Sequence, residues 1–132
     1  EGKNFTLKIN LLYSIFILSA VFVFCLVLNL FGNLFLGEKY LVALPIIYIM
    51  CFAQAFFGIY TTTGLVVDYF KKTKLKTIMI TICAISVISL SFLLMPIAGI
   101  YSPAIATLIS FFLLALLSFF IAKRLFYEYD VR

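Results

Sequence analysis

The chain has 132 residues, 66% of them hydrophobic and only 11% charged, with a net charge of +5 and a mean hydropathy of +1.25. That composition excludes a soluble globular domain. The positive charge does not signal nucleic acid, because no basic helical face or RNA-binding motif accompanies it; it flanks apolar stretches, where basic side chains meet anionic lipid headgroups.

Residues Glu1 to Lys8 are polar and basic and read as a cytoplasmic loop or the frayed start of a helix. The first residue is not Met, and no basic n-region, short apolar core and small-residue cleavage site follow it. The expectation is therefore a piece of a longer protein rather than a chain with a signal peptide. Span one is expected at about 9–31, with Ser14, Ser19 and Asn29 as its polar members and Gly32-Asn33 as its stop. A short outer connection carries the Glu38-Lys39 pair and makes spans one and two antiparallel neighbours. Span two is expected at about 40–67. Pro45 sits near its start, where a missing N–H is tolerated, and the excess length predicts tilt or projection past the bilayer. Thr61, Thr62, Thr63 and Gly64 form a weak patch before Asp68 and the lysine-rich loop, with Tyr69 and Phe70 at headgroup depth. Span three is expected at about 77–95, followed by a tight uncharged turn from Pro96 to Pro103. Span four is expected at about 103–122, with an interfacial tail of Phe126, Tyr127 and Tyr129.

Roughly 20 apolar residues cross a hydrocarbon core of about 30 Å. Four crossings place Lys3 and Lys8, the Lys71, Lys72, Lys74 and Lys76 cluster, and Lys123, Arg124 and Arg132 on one side, leaving only Lys39 on the other. This is the positive-inside arrangement with both termini cytoplasmic. The expected fold is all-α: one integral membrane bundle of four transmembrane helices over residues 1–132. No internal repeat or linker divides it.

Cys25, Cys51 and Cys83 each lie inside a span, at spacings that match neither a CxxC pair nor a zinc site, and read as small buried hydrophobes. The chain has no His, and every Asp and Glu lies near a membrane boundary. Metal binding, cofactors and general acid–base catalysis therefore lack their usual residues, and no enzyme is expected.

Three motifs occur in order: Phe35-Leu-Gly-Glu-Lys-Tyr40-Leu-Val-Ala43-Leu-Pro-Ile; the basic Lys71-Lys-Thr-Lys-Leu-Lys76 loop; and Leu94-Met-Pro-Ile-Ala-Gly99-Ile-Tyr-Ser-Pro-Ala104-Ile-Ala106-Thr-Leu-Ile-Ser110. Together they resemble the C-terminal membrane domain of polysaccharide biosynthesis proteins, the oligosaccharide-lipid flippases of the multidrug/oligosaccharidyl-lipid/polysaccharide exporter superfamily. The resemblance runs from about Leu11 to Phe126. In that family the outer loop often reads Phe-Gly-x-x-Tyr-x-x-Ala and the later turn Pro-x-x-Gly-x-x-Gly-Ala-Ala-x-Ala-Thr. Gly99, Ala104, Ala106 and Thr107 match the turn, whereas Ser102 stands where Gly is usual and Pro103 where Ala is usual. The resemblance implies the last four spans of the second lobe of a two-lobed transporter in the inner (plasma) membrane. It also implies a cavity that opens alternately to the two sides and moves a polyprenyl-pyrophosphate-linked oligosaccharide outward. The partners implied are membrane lipids, the lipid-linked oligosaccharide and the missing N-terminal helices of the parent.

No Lys or Arg lies inside a span, so phosphate-binding cations would come from the rest of the parent. This chain would offer neutral cavity lining at Gln54, Asn29 and Thr61, and close helix packing at Gly99, Ala104, Ala106 and Thr107. The plainer alternative is that the three polar residues make interhelical hydrogen bonds or sit at the membrane edge. Alternative functions are a small four-helix multidrug exporter, which would need an acid in its first helix, a drug exporter of the same superfamily, or a non-transporting assembly subunit.

Overall fold

A computed structural model describes residues 2–35 and 37–130. Glu1, Leu36 and Arg132, named above, lie outside the described residues. Every regular element among the described residues is helical: α1 (Gly2–Phe35), a 3-10 turn (Glu38–Ala43), α2 (Leu44–Tyr69), α3 (Thr73–Ala98), a 3-10 turn (Gly99–Tyr101) and α4 (Ser102–Asp130). By length and apolar composition, three stretches are able to cross a membrane: Asn4–Phe35, Leu41–Tyr69 and Thr73–Asp130. The last contains both α3 and α4. This is the make-up of a multi-pass membrane protein.

The helices run further than the hydropathy limits. Residues 2–8 are not a loop; they open α1. Gly32 and Asn33 do not stop that helix, which continues to Phe35. Gly32 instead lets the side chain of Leu44 approach, with its Cδ2 3.7 Å from where a Cβ would stand. Residues 40–43 are in the 3-10 turn that leads into α2, and Pro45 falls in the first turn of α2, where no N–H is needed. The lysine-rich segment is mostly the start of α3. Pro96 stays inside α3, so the turn before α4 shrinks to Gly99–Tyr101. The aromatic tail is the last turns of α4.

Residue pairs fix how the helices run. Between α1 and α2, Asn10 meets Thr63, Ile17 meets Gly58, and Gly32 meets Leu44. One number rises as the other falls, so the two helices are antiparallel. Between α2 and α4, Phe56 meets Phe112 at a ring separation of 5.1 Å, and Phe70 meets Phe126 at 5.6 Å. Here both numbers rise, so α2 and α4 are parallel. The helix α3 is antiparallel to α4: the Ser102 hydroxyl donates to the Ser91 carbonyl near the turn, and Lys72 pairs with Glu128 at 3.7 Å at the far end.

The core follows from this. Tyr60 of α2, Met79 and Cys83 of α3, and Leu114 of α4 form its buried centre, with Val87, Phe111 and Ile121 packed on it. On α4 the buried positions Ser102, Ala106, Ser110, Leu114, Ser118 and Ala122 recur every four residues. Small residues at that spacing let backbones approach, which is how helices associate where lipid removes any hydrophobic drive between them.

Helix α1 packs mainly on α2, along one stripe. Leu7, Asn10, Ser14, Ile17, Val21, Cys25, Leu28 and Gly32 are less exposed than their neighbours. They lie three or four residues apart, the seam of a left-handed helix pair. The rest of α1 is an exposed wall of Leu, Ile, Val and Phe, which in a bilayer meets acyl chains or another helix.

Candidate functional site

The pairings collect cationic side chains at one end of the bundle. There α1 begins, α2 turns into α3, and α4 ends. The turn itself is short, with Lys71 held at φ 57°. Lys76 Nζ donates to Asp68 Oδ2 at 2.6 Å across it. Gly64 makes room for the Lys76 stem, whose Cε lies 3.3 Å from the position of a Cβ. Glu128 is shared: Arg124 Nε donates to it at 3.2 Å and Lys72 lies 3.7 Å away. Phe70 stacks on Tyr129 at 4.5 Å and meets Phe126 edge-on, so rings seal α2 to α4 at this level.

At the same end α1 stands off from α4, leaving a cavity of about 660 Å³. Its walls include Leu7, Ile59, Phe119 and Phe120, and its rim carries Lys123 and Arg124. Both cations are exposed. A second cavity of about 570 Å³ lies alongside, with Thr62, Tyr69 and Asp130 in its lining. Asn10 belongs to both linings.

Asn10 is the distinctive residue here. It is 8% exposed, in a helix whose other faces are open. Its Nδ2 donates to Thr63 Oγ1 at 3.2 Å. Thr63 is fully buried and donates its own hydroxyl to the Ile59 carbonyl at 2.9 Å. A hydroxyl has one proton, so towards Asn10 the threonine can only accept. That assigns the amide nitrogen to Thr63 and leaves Asn10 Oδ1 as a buried acceptor without a donor. Such an atom costs about 1–3 kcal/mol if nothing reaches it.

The residues expected to line a transport cavity all sit on exposed helix faces. Gln54 is exposed on α2, between the fully buried Ala53 and Ala55. Asn29 is exposed on α1. Thr61 is exposed and donates to the Gly58 carbonyl of its own helix at 2.7 Å. None of the three lines either cavity at the basic end. Ala104 and Ala106 are buried, at 3% and 0% exposure. Thr107 is half-buried and donates to the Pro103 carbonyl at 2.7 Å. Gly99 touches nothing at its missing Cβ; what sets it apart is a φ of +60°. Among the described residues no group of three or more His, Cys, Asp and Glu is placed to hold a metal ion.

Sequence reasoning passed over Asn10 because it directly follows the polar start of the chain. The signal was the α1 stripe itself. Four of its eight positions, Asn10, Ser14, Cys25 and Gly32, are polar or small, in a helix otherwise built of large apolar side chains.

Among known proteins, no family model, no curated protein and no solved structure matches the chain.

Proposed function

We propose that the chain is part of a plasma-membrane flippase that moves a polyprenyl-pyrophosphate-linked oligosaccharide from the cytoplasmic to the outer leaflet. In this reading it crosses the bilayer four times, with α3 and α4 as separate crossings and the basic end cytoplasmic. Each of the four helices is longer than a hydrocarbon core of about 30 Å requires. The observation that carries the reading is the ordered set of three motifs, at the outer connection, the basic turn and the Gly99–Thr107 segment. The gathering of basic residues at one end supports the orientation. The neutral polar groups on otherwise apolar helices, Gln54 and Asn29, face outward from this bundle. There the remaining helices of a larger transporter would meet them and close a cavity. A small multidrug exporter is less well supported, since α1 contains no acid for proton exchange.

The orientation is tested by single cysteines in a cysteine-free background. Lys74→Cys is expected to react only from the cytoplasmic side and Lys39→Cys only from outside. Outside-only labelling at 74 would reverse the topology.

The function is tested by a flipping assay in vesicles carrying the intact parent protein, normalised to folded protein. Gln54→Leu removes an amide that a sugar hydroxyl would use. It is expected to cut flipping per folded molecule by about two- to tenfold, the range of one hydrogen bond, with abundance unchanged. Full activity per folded molecule would take Gln54 out of the cavity. No movement of lipid-linked sugar by the intact parent would remove the flippase reading itself.

A further inference from the structure

We infer that the cavity between α1, α2 and α4 at the basic end is a binding site for an anionic glycerophospholipid whose headgroup carries free hydroxyls, phosphatidylglycerol being the simplest. The inference does not rest on the flippase reading.

Three features set the ligand's chemistry. The walls are apolar, with Leu7, Ile59, Phe119 and Phe120 among them, so they accept an acyl chain. A volume of about 660 Å³ holds a lipid's glycerol region and the upper part of one chain, and the remainder lies in the bilayer. Lys123 and Arg124 stand at the rim, where a phosphate sits at headgroup depth. Glu128 already engages Arg124, whereas no ion pair holds Lys123 among the described residues. Lys123 is therefore the main phosphate cation, with Arg124 beside it.

The third feature is the acceptor. Asn10 lines this cavity, and its buried Oδ1 has no donor. In the proposed complex the amide turns into the cavity and accepts an O–H or N–H from the ligand. A headgroup hydroxyl supplies one while the phosphate stays on the cations. A phosphodiester lacking hydroxyls leaves Oδ1 unmet, and phosphatidylcholine both lacks a donor and brings a fixed cation towards Lys123.

The protein in a neutral maltoside detergent is titrated with short-chain lipids, and bound lipid is read by native mass spectrometry. Phosphatidylglycerol is expected to bind about three- to tenfold more tightly than phosphatidylmethanol, which has the phosphate without the hydroxyls. It is expected to bind about tenfold or more tightly than phosphatidylcholine. Asn10→Leu should bring phosphatidylglycerol down to the level of phosphatidylmethanol and leave phosphatidylmethanol unchanged. The double change Lys123→Gln with Arg124→Gln should lower both anionic lipids together. Both of those side chains are exposed, so this variant keeps the test open even if Asn10→Leu does not fold. Equal binding of phosphatidylglycerol and phosphatidylcholine overturns the site. Equal binding of phosphatidylglycerol and phosphatidylmethanol overturns the role of Asn10. Soluble glycerol phosphate competing as well as the lipid would make it a free-anion site. A polyprenyl phosphate that displaced phosphatidylglycerol would make it a site for the transported lipid instead. A negative flipping assay leaves all these outcomes as they stand.

Discussion

Ala106→Leu is expected to destabilise the bundle by about 1–3 kcal/mol, the usual cost of overfilling a packed interface. Ala106 is fully buried, and its neighbours on the same ridge, Ser102 and Ser110, are 1% and 2% exposed. The added side-chain atoms have no space to enter, so α4 must move away from its neighbours. In lipid that movement is not opposed by water, and the lost contacts are the very ones that hold the helices together. The comparison is Leu113→Ala. Leu113 is 48% exposed, so its loss changes little, within about 0.5 kcal/mol. Thermal unfolding in detergent, followed by loss of monodisperse protein, separates the two. Equal tolerance would mean that the α4 ridge is not an interface.

Gly99→Ala should cost about 1–3 kcal/mol for a different reason. Gly99 has φ +60° and ψ −123°, as the cap that ends α3. That combination is open to glycine and strained for any residue with a Cβ. No heavy atom lies within 4 Å of where the Cβ would be, so crowding contributes nothing and the whole effect is backbone strain. Gly37 is the internal control. Its Cβ would also meet open space, but its φ of −56° and ψ of 159° suit alanine. Gly37→Ala should therefore be neutral or stabilising by about 0.4–1 kcal/mol, through the unfolded state. Denaturant titration of both variants decides the matter. If they behave alike, the turn between α3 and α4 is not conformationally strained.

The class of fold was legible in the sequence because hydropathy reports which residues tolerate lipid. The helix ends were not, because hydropathy says where the lipid stops and not where the hydrogen-bond ladder stops. Residues such as Lys8 and Lys76 leave the hydrocarbon yet keep their helical bonds. Their helices gain nothing by ending at the boundary. Pro96 misled for a related reason: a proline near a helix C-terminus forfeits one bond in a segment that was about to end. Gln54 shows the limit for site residues. A mid-span amide must find a partner or face water, but hydropathy does not say on which side; the phase of α2, set by Ala53, Tyr60 and Val67 at seven-residue steps, leaves Gln54 on an exposed face. Asn10 was hidden because a polar residue two places from Lys8 looks like boundary. Its partner Thr63 is 53 residues away, and only the antiparallel pairing of α1 and α2 brings the two together.

The parallel pairing of α2 with α4 has a consequence for synthesis. A ribosome releases α2 long before α4, and the two share the core around Tyr60 and Leu114. Until α4 emerges, the α1–α2 hairpin waits in the membrane with the Tyr60 side of α2 uncovered, and α3 has no partner on α4. Nascent chains stopped before about residue 114 therefore display an unfilled seam to whatever surveys the bilayer. The seam closes only when α4 leaves the tunnel, because the core residues of α2 and α3 pack on it.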